Sequence, residues 1–135
     1  MTLQEFITKF NINLNKQQLE AVQSVEKPTL LLAVPGSGKT TVLITRLGYM
    51  IYCLGIRPEE ILTVTYTVAA TNDMRNRFAT IFGDELVARL EFRTINGICA
   101  KIIGYYGRCV GKKPFELVTD EGYKTKLLSA IYTEV

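Results

Sequence analysis

The spacing of apolar residues changes along the chain, and each change marks an element. Leu3, Phe6, Ile7 and Phe10 recur at helical spacing within and after Thr2-Leu3-Gln4-Glu5. In that tetrad a threonine and a glutamate three residues on can satisfy each other's free amides as a capping box. Asn15-Lys16-Gln17-Gln18 repeats the device ahead of a second helix carrying Leu19, Val22 and Val25, which ends near Lys27-Pro28. Over residues 29–34 the helical period disappears. Leu30, Leu31, Leu32, Ala33 and Val34 form a continuous apolar run, the expectation for a strand covered on both faces of a parallel sheet. Helical spacing returns over residues 40–54, with Leu43, Leu47, Met50, Ile51 and Leu54 as the expected buried stripe and Gly55 as the stop.

The alternation continues. Ile61-Leu62-Thr63-Val64-Thr65-Tyr66 is rich in β-branched residues and reads as a second strand. Residues 69–82 read as a helix with Ala70, Met74, Phe78 and Ile81 in register, and a third strand is expected within residues 89–93. An amphipathic helix follows, with Ile95, Ile98, Cys99, Ile102, Ile103 and Tyr106 as its expected buried face. Gly107, Gly111 and Lys112-Lys113-Pro114 mark a loop, after which Thr119 can cap a last helix bearing Tyr123, Leu127 and Ile131. Strand alternating with helix predicts an α/β fold, a parallel sheet flanked by helices and joined by right-handed crossovers.

Composition narrows the chemistry. The chain has 135 residues, 47% of them hydrophobic and 21% charged, which suits one globular domain. The longest apolar stretch, residues 30–35, is far short of the roughly 20 residues of a membrane span, and no basic-then-apolar leader precedes Glu5. A cytoplasmic location is the expectation. A net charge of +3 is spread along the chain and decides nothing about nucleic acid. The absence of histidine excludes Ser-His and Cys-His nucleophiles and histidine-based zinc sites. Cys53, Cys99 and Cys109 lack metal-ligand spacing, and buried free thiols are expected.

One segment carries a specific chemistry. Ala33-Val34-Pro35-Gly36-Ser37-Gly38-Lys39-Thr40 stands between the apolar run and a helix, the setting of a phosphate-binding P-loop. Glycines let successive amides face phosphate oxygens, and the helix N-terminus adds the positive end of its dipole. Lys39 is expected to reach the β and γ phosphates, and the Thr40 hydroxyl to ligate Mg²⁺. Pro35, Gly36, Ser37 and Gly38 shape the cradle, with Ala33 at the position where this loop usually begins with glycine.

With this loop in place, the order of motifs resembles the N-terminal part of the first motor domain of UvrD-like superfamily 1 ATP-dependent DNA helicases, from about Leu14 onward. The resemblance implies an incomplete RecA-like P-loop NTPase domain, with ATP and Mg²⁺ as cofactors and single-stranded DNA as partner. Alanine is common at the loop's first position in that family, in agreement with Ala33, whereas Val34 stands where glycine is more frequent and Thr41 where arginine often lies. Leu14-Asn15-Lys16-Gln17-Gln18-Leu19-Glu20-Ala21-Val22 resembles the Q motif, which implies that Gln18 reads adenine; from the residues alone, Gln18 can equally close the Asn15 cap. Ile61 to Ala70 resembles motif Ia. That implies DNA contacts by Tyr66, stacking on a base, and by Thr67, bonding phosphate; a core role for Tyr66 at the strand end is the alternative. Val68-Ala69 replaces the family's usual Asn-Lys there. Arg93-Thr94-Ile95-Asn96-Gly97-Ile98-Cys99 resembles motif Ib, where the family generally has a Thr-Phe-His-Ser type of sequence. Thr94 and Asn96 are then further phosphate donors, Asn96 as a plain helix cap being the alternative.

Hydrolysis requires a carboxylate on Mg²⁺, normally from an Asp-Glu pair ending a buried strand. Asp120-Glu121 is a poor candidate because Glu116 interrupts the stretch before it. The resemblance places residues 1–114 in the motor domain and residues 115–135 at the start of a helical accessory insertion, with the acidic motif beyond it. The expectation is a fragment of a helicase that binds nucleotide and hydrolyses almost none. A P-loop nucleotide kinase and a non-catalytic nucleotide-regulated interaction module are the alternatives, and the oligomeric state stays open.

Overall fold

The computed structural model describes residues 1–111 and 120–133. They fall into two compact units, Met1–Ile98 and Cys99–Val135. The first is mixed α/β: α1 (Leu3–Lys9), α2 (Lys16–Gln23), α3 (Lys39–Tyr52), a 3-10 turn (Pro58–Glu60), β1 (Leu62–Thr65), α4 (Val68–Phe82), α5 (Asp84–Arg89) and β2 (Glu91–Thr94). Both expected capping boxes form. Thr2 and Glu5 close the start of α1, and Asn15 and Gln18 close that of α2, each side chain accepting from the other's backbone N–H.

β1 and β2 pair in parallel, Leu62 opposite Glu91 and Thr65 opposite Thr94, with α4 and α5 between them in sequence. A parallel pair needs such a crossover, and α4 supplies the cover: Thr71, Met74, Phe78 and Phe82 are its buried residues. Aromatic rings fill the core. Phe6 stacks on Phe82 with centroids 5.9 Å apart and planes at 11°, and Phe78 lies 4.8 Å from Phe82 and 6.2 Å from Phe92. Ile44 and Leu47 of α3 join this cluster, and Phe6, fully buried, ties α1 to it. Burying one such ring stabilises the fold by about 2–3 kcal/mol.

Several expectations are corrected. Residues 29–34 form no strand: Leu30 is 82% exposed, Leu32 84% and Val34 71%. A strand exists only as a member of a pair, and β1 and β2 pair with each other while no described strand pairs with this run. In α3 the buried set is Val42, Ile44, Thr45, Leu47 and Gly48, whereas Leu43 and Leu54 are exposed. This helix is packed by α1, α2 and α4, so Val42, Ile44, Thr45 and Gly48 are buried beside the expected Leu47, while Met50 and Ile51 pack partly buried against the core. At Gly48 an added Cβ would lie 2.3 Å from the Phe82 ring, so only glycine allows that approach.

The last helices depart further. α6 (Ile95–Cys109) begins in the first unit and continues through Gly107, and α7 (Glu121–Thr133) follows in the second. Neither holds a buried residue: Ile95, Ile102, Ile103 and Tyr106 of α6 are exposed, as are Tyr123, Leu127 and Ile131 of α7. Helical spacing lines these residues up but does not supply a surface to cover them. Cys99 and Cys109 are exposed for the same reason. Cys53 alone is half-buried, and burial raises its thiol pKa above the ordinary range. The expected cap Thr119 lies outside the described residues. Asp120 serves α7 instead, its Oδ1 accepting from the Tyr123 N–H at 2.6 Å.

Candidate phosphate site

The loop ahead of α3 is built from two glycines at positive φ. Val34-Pro35-Gly36-Ser37 is a β-turn closed by a Ser37 N–H to Val34 O bond of 3.2 Å, with Pro35 at its second position and Gly36, at φ +80°, at its third. These are the residues a type II turn demands. Gly38, at φ +84°, is the N-cap of α3 and offers no side-chain cap. The first N–H groups of α3, those of Lys39, Thr40 and Thr41, therefore lack both an intrahelical and a capping acceptor, and they face the position where an anion is most favoured.

Lys39 folds back over this turn. Its Nζ donates to Ala33 O at 2.8 Å and to Val34 O at 2.9 Å, placing the ammonium beside the loop. Ser37 Oγ is buried without a hydrogen-bond partner, a cost of about 1–3 kcal/mol unless a ligand or water satisfies it. A cavity of about 270 Å³ opens here, lined in part by Gln18, Leu32, Ala33, Ser37 and Lys39. Gln18 uses both ends of its amide: Oε1 accepts from the Asn15 N–H at 3.0 Å, and Nε2 donates to Ser37 O at 3.0 Å. An unpartnered hydroxyl, an uncapped helix start and a nearby ammonium are the donors that a phosphate chain requires.

Among the described residues no group of three or more Asp, Glu, Cys or His side chains could hold a metal ion. Thr40, half-buried in the first turn of α3, supplies one hydroxyl, which fits a magnesium ion that keeps water and phosphate as its other ligands. Thr41 lies elsewhere: it lines a separate cavity of about 170 Å³ with Ile44, Arg77, Thr80 and Ile81. Asp120 caps α7 and Glu121 pairs with Lys124 at 2.6 Å, so the acidic pair sits at a helix start.

A second set of candidates gathers at the sheet. Because β1 and β2 run parallel with Thr65 opposite Thr94, both deliver their following residues to the same edge. Tyr66 stands there 90% exposed, which removes the alternative of a core residue. Thr67 Oγ1 accepts from the Ala70 N–H at 3.1 Å and caps α4, and Thr94 Oγ1 accepts from the Gly97 N–H at 3.0 Å. Asn96 is exposed in the first turn of α6. No motif or spacing pointed to Arg75, whose guanidinium lies 6.0 Å from the Phe92 ring centroid and donates to Phe92 O at 3.5 Å. Nor did any show that Gln18 and Ser37, nineteen positions apart, are bonded.

Known proteins resemble this chain over most of its length. Residues 14–134 match the UvrD/REP helicase N-terminal domain. The ATP-dependent DNA helicase PcrA of Leuconostoc citreum is 31% identical over 119 residues, covering 87% of this chain and 16% of that protein. The ATP-dependent DNA helicase srs2 of Schizosaccharomyces pombe is 36% identical over 107 residues, covering 79% and 12%. The ATP-dependent DNA helicase UvrD1 of Mycobacterium leprae is 36% identical over 98 residues, covering 73% and 13%. The chain thus spans less than a fifth of the length of these relatives. No helix among the described residues is long and apolar enough to cross a membrane. The matched span, the parallel pair and the glycine loop agree: the chain belongs to the UvrD/REP helicase N-terminal domain family.

Proposed function

We propose that this chain is the nucleotide-binding portion of an ATP-dependent DNA helicase, holding ATP and Mg²⁺ at residues 33–40 and single-stranded DNA at the edge after β1 and β2. The observation that carries the reading is the polar arrangement ahead of α3: a buried Ser37 hydroxyl without a partner, an uncapped helix start and the Lys39 ammonium on the loop's own carbonyls. Nucleotide binding exchanges those two neutral carbonyls for anionic oxygens, which makes stronger, charge-assisted bonds. Pro35 and Gly36 set the turn, Ala33 leaves it uncrowded, and Thr40 provides the hydroxyl for magnesium. Bound Mg²⁺ neutralises developing charge on the phosphates. Gln18 reads the adenine edge.

At the sheet edge Tyr66 offers a ring on which a base stacks, and Thr67, Thr94 and Asn96 offer polar groups to the strand's phosphates. Residues 1–114 form part of the motor domain and residues 115–135 begin a helical insertion. In the helicase, hydrolysis drives movement along one DNA strand. This chain binds nucleotide and turns over almost none, because hydrolysis needs a carboxylate on Mg²⁺ and Asp120 and Glu121 are engaged at the start of α7, as its cap and as the partner of Lys124. Titration of a fluorescent ATP analogue in Mg²⁺ is the test: saturable binding is expected in the wild type, at least tenfold weaker binding in Lys39→Ala, and negligible steady-state phosphate release in both. Equal binding by the two proteins would remove the nucleotide site.

A further inference from the structure

We propose that Gln18 is a positioning residue for the phosphate loop, acting on bound phosphate through the Ser37–Gly38 peptide independently of any contact with a base. The inference rests on the nucleotide site proposed above and deepens it. The capping box orients the Gln18 amide before it reaches the loop, since Oε1 is already held by the Asn15 N–H at 3.0 Å. Nε2 then donates to Ser37 O at 3.0 Å in a part-buried bond. No peptide bond among the described residues is cis. In a planar trans peptide the C=O and N–H point to opposite sides, so turning Ser37 O toward Gln18 directs the Gly38 N–H away from it. One side-chain bond thereby fixes the orientation of the amide at the N-cap of α3.

Two further observations show how tightly the peptide is held. The Ser37 N–H is tied to Val34 O at 3.2 Å, so Ser37 is fixed through its nitrogen by the turn and through its oxygen by Gln18. Its buried hydroxyl is the polar atom left over. At Gly38 an added Cβ would stand 3.1 Å from Gln18 Nε2, so the amide is packed against the loop as well as bonded to it. The clamp consumes one of the two Nε2 hydrogens and one of the two Oε1 lone pairs, which leaves a donor and an acceptor for an adenine edge. Clamping and base reading are therefore compatible, and they separate with a ligand that has no base.

The experiment is calorimetric titration of the full chain with inorganic tripolyphosphate and with an ATP analogue, both in Mg²⁺. Gln18→Met, similar in size and unable to donate, is expected to weaken tripolyphosphate by about three- to tenfold, the range for one hydrogen bond, and the ATP analogue by more, because the base contact is lost as well. Asn15→Ala removes the acceptor for the Gln18 N–H in the same helix cap and leaves the Gln18 side chain; it is expected to hold tripolyphosphate within about twofold of wild type. Gln18→Glu keeps an acceptor for the Asn15 N–H and cannot donate to Ser37 O, which separates the clamp from the cap should Gln18→Met fold poorly. It is expected to lose tripolyphosphate affinity as well, by a factor that persists at high ionic strength, where repulsion by the added carboxylate is screened. Weakening of the ATP analogue alone in Gln18→Met would make Gln18 a base reader only and overturn the clamp. Equal losses in Asn15→Ala, or unchanged tripolyphosphate affinity in Gln18→Glu, would overturn it too. A wild type that binds neither ligand would overturn the nucleotide reading itself.

Discussion

Within the first unit, the aromatic cluster under α4 and the apolar run of residues 29–34 have similar hydrophobic content and opposite fates. Phe6, Phe78 and Phe92 are enclosed because α1, α3 and α4 bring complementary faces to the same place. Leu30, Leu32 and Val34 stand in an uninterrupted apolar stretch and remain exposed. An amphipathic helix can be covered by its neighbours in sequence, whereas a continuous apolar strand needs partner strands on its edges and layers on both faces. Among the described residues only β1 and β2 form such a pair. The phosphate loop that follows the run does not depend on the strand to hold its shape locally. The turn at Pro35-Gly36, the Lys39 bonds to Ala33 O and Val34 O, and the Gln18 bond to Ser37 O hold it instead.

That contrast can be attacked from the core outward. Phe6→Ala empties a fully buried site against Phe82 and is expected to destabilise the chain by about 3–5 kcal/mol in chemical denaturation. A loss under about 1 kcal/mol would mean that α1 is not part of the core. Gly48→Ala forces a methyl into the Phe82 ring and is expected to cost about 1–3 kcal/mol, with no direct contact to the phosphate loop. Tyr66→Ala leaves the core untouched; it is expected to weaken single-stranded DNA binding by about 1–3 kcal/mol, read by fluorescence anisotropy at fixed salt, with the melting temperature unchanged. Unchanged affinity would remove the stacking role. Leu30→Ser, in the exposed run, is expected to change stability by less than about 0.5 kcal/mol. A large loss there would show that the run is covered and the comparison misplaced.

How much of this was legible depended on whether the informative neighbours were local. The two capping boxes were readable because Thr2 and Glu5, like Asn15 and Gln18, satisfy each other within one turn. The glycine loop was readable because its backbone demands fall on Gly36 and Gly38. β1 was readable from its β-branched residues, and its parallel partner was placed within two residues of Glu91–Thr94. What failed was burial. The stripe on α3 held at Leu47, Met50 and Ile51 and failed at Leu43 and Leu54, because three other helices pack on α3, which no spacing within it records. Ile102, Ile103 and Tyr106 are spaced as a buried face and are exposed, since periodicity specifies a face and not its cover. Gln18 illustrates both limits: the sequence allowed a cap or a base reader, and the structure adds a loop contact that neither reading contained.

Backbone amide chemical shifts over residues 29–41, followed during titration with Mg²⁺ and ATP, probe the cradle most directly. The expected result is saturable movement of the Ser37, Gly38, Lys39 and Thr40 amides in the wild type, with Leu30 nearly still and the response lost in Lys39→Ala. Saturating nucleotide that leaves those four signals where they were, or moves them equally in Lys39→Ala, would contradict the account.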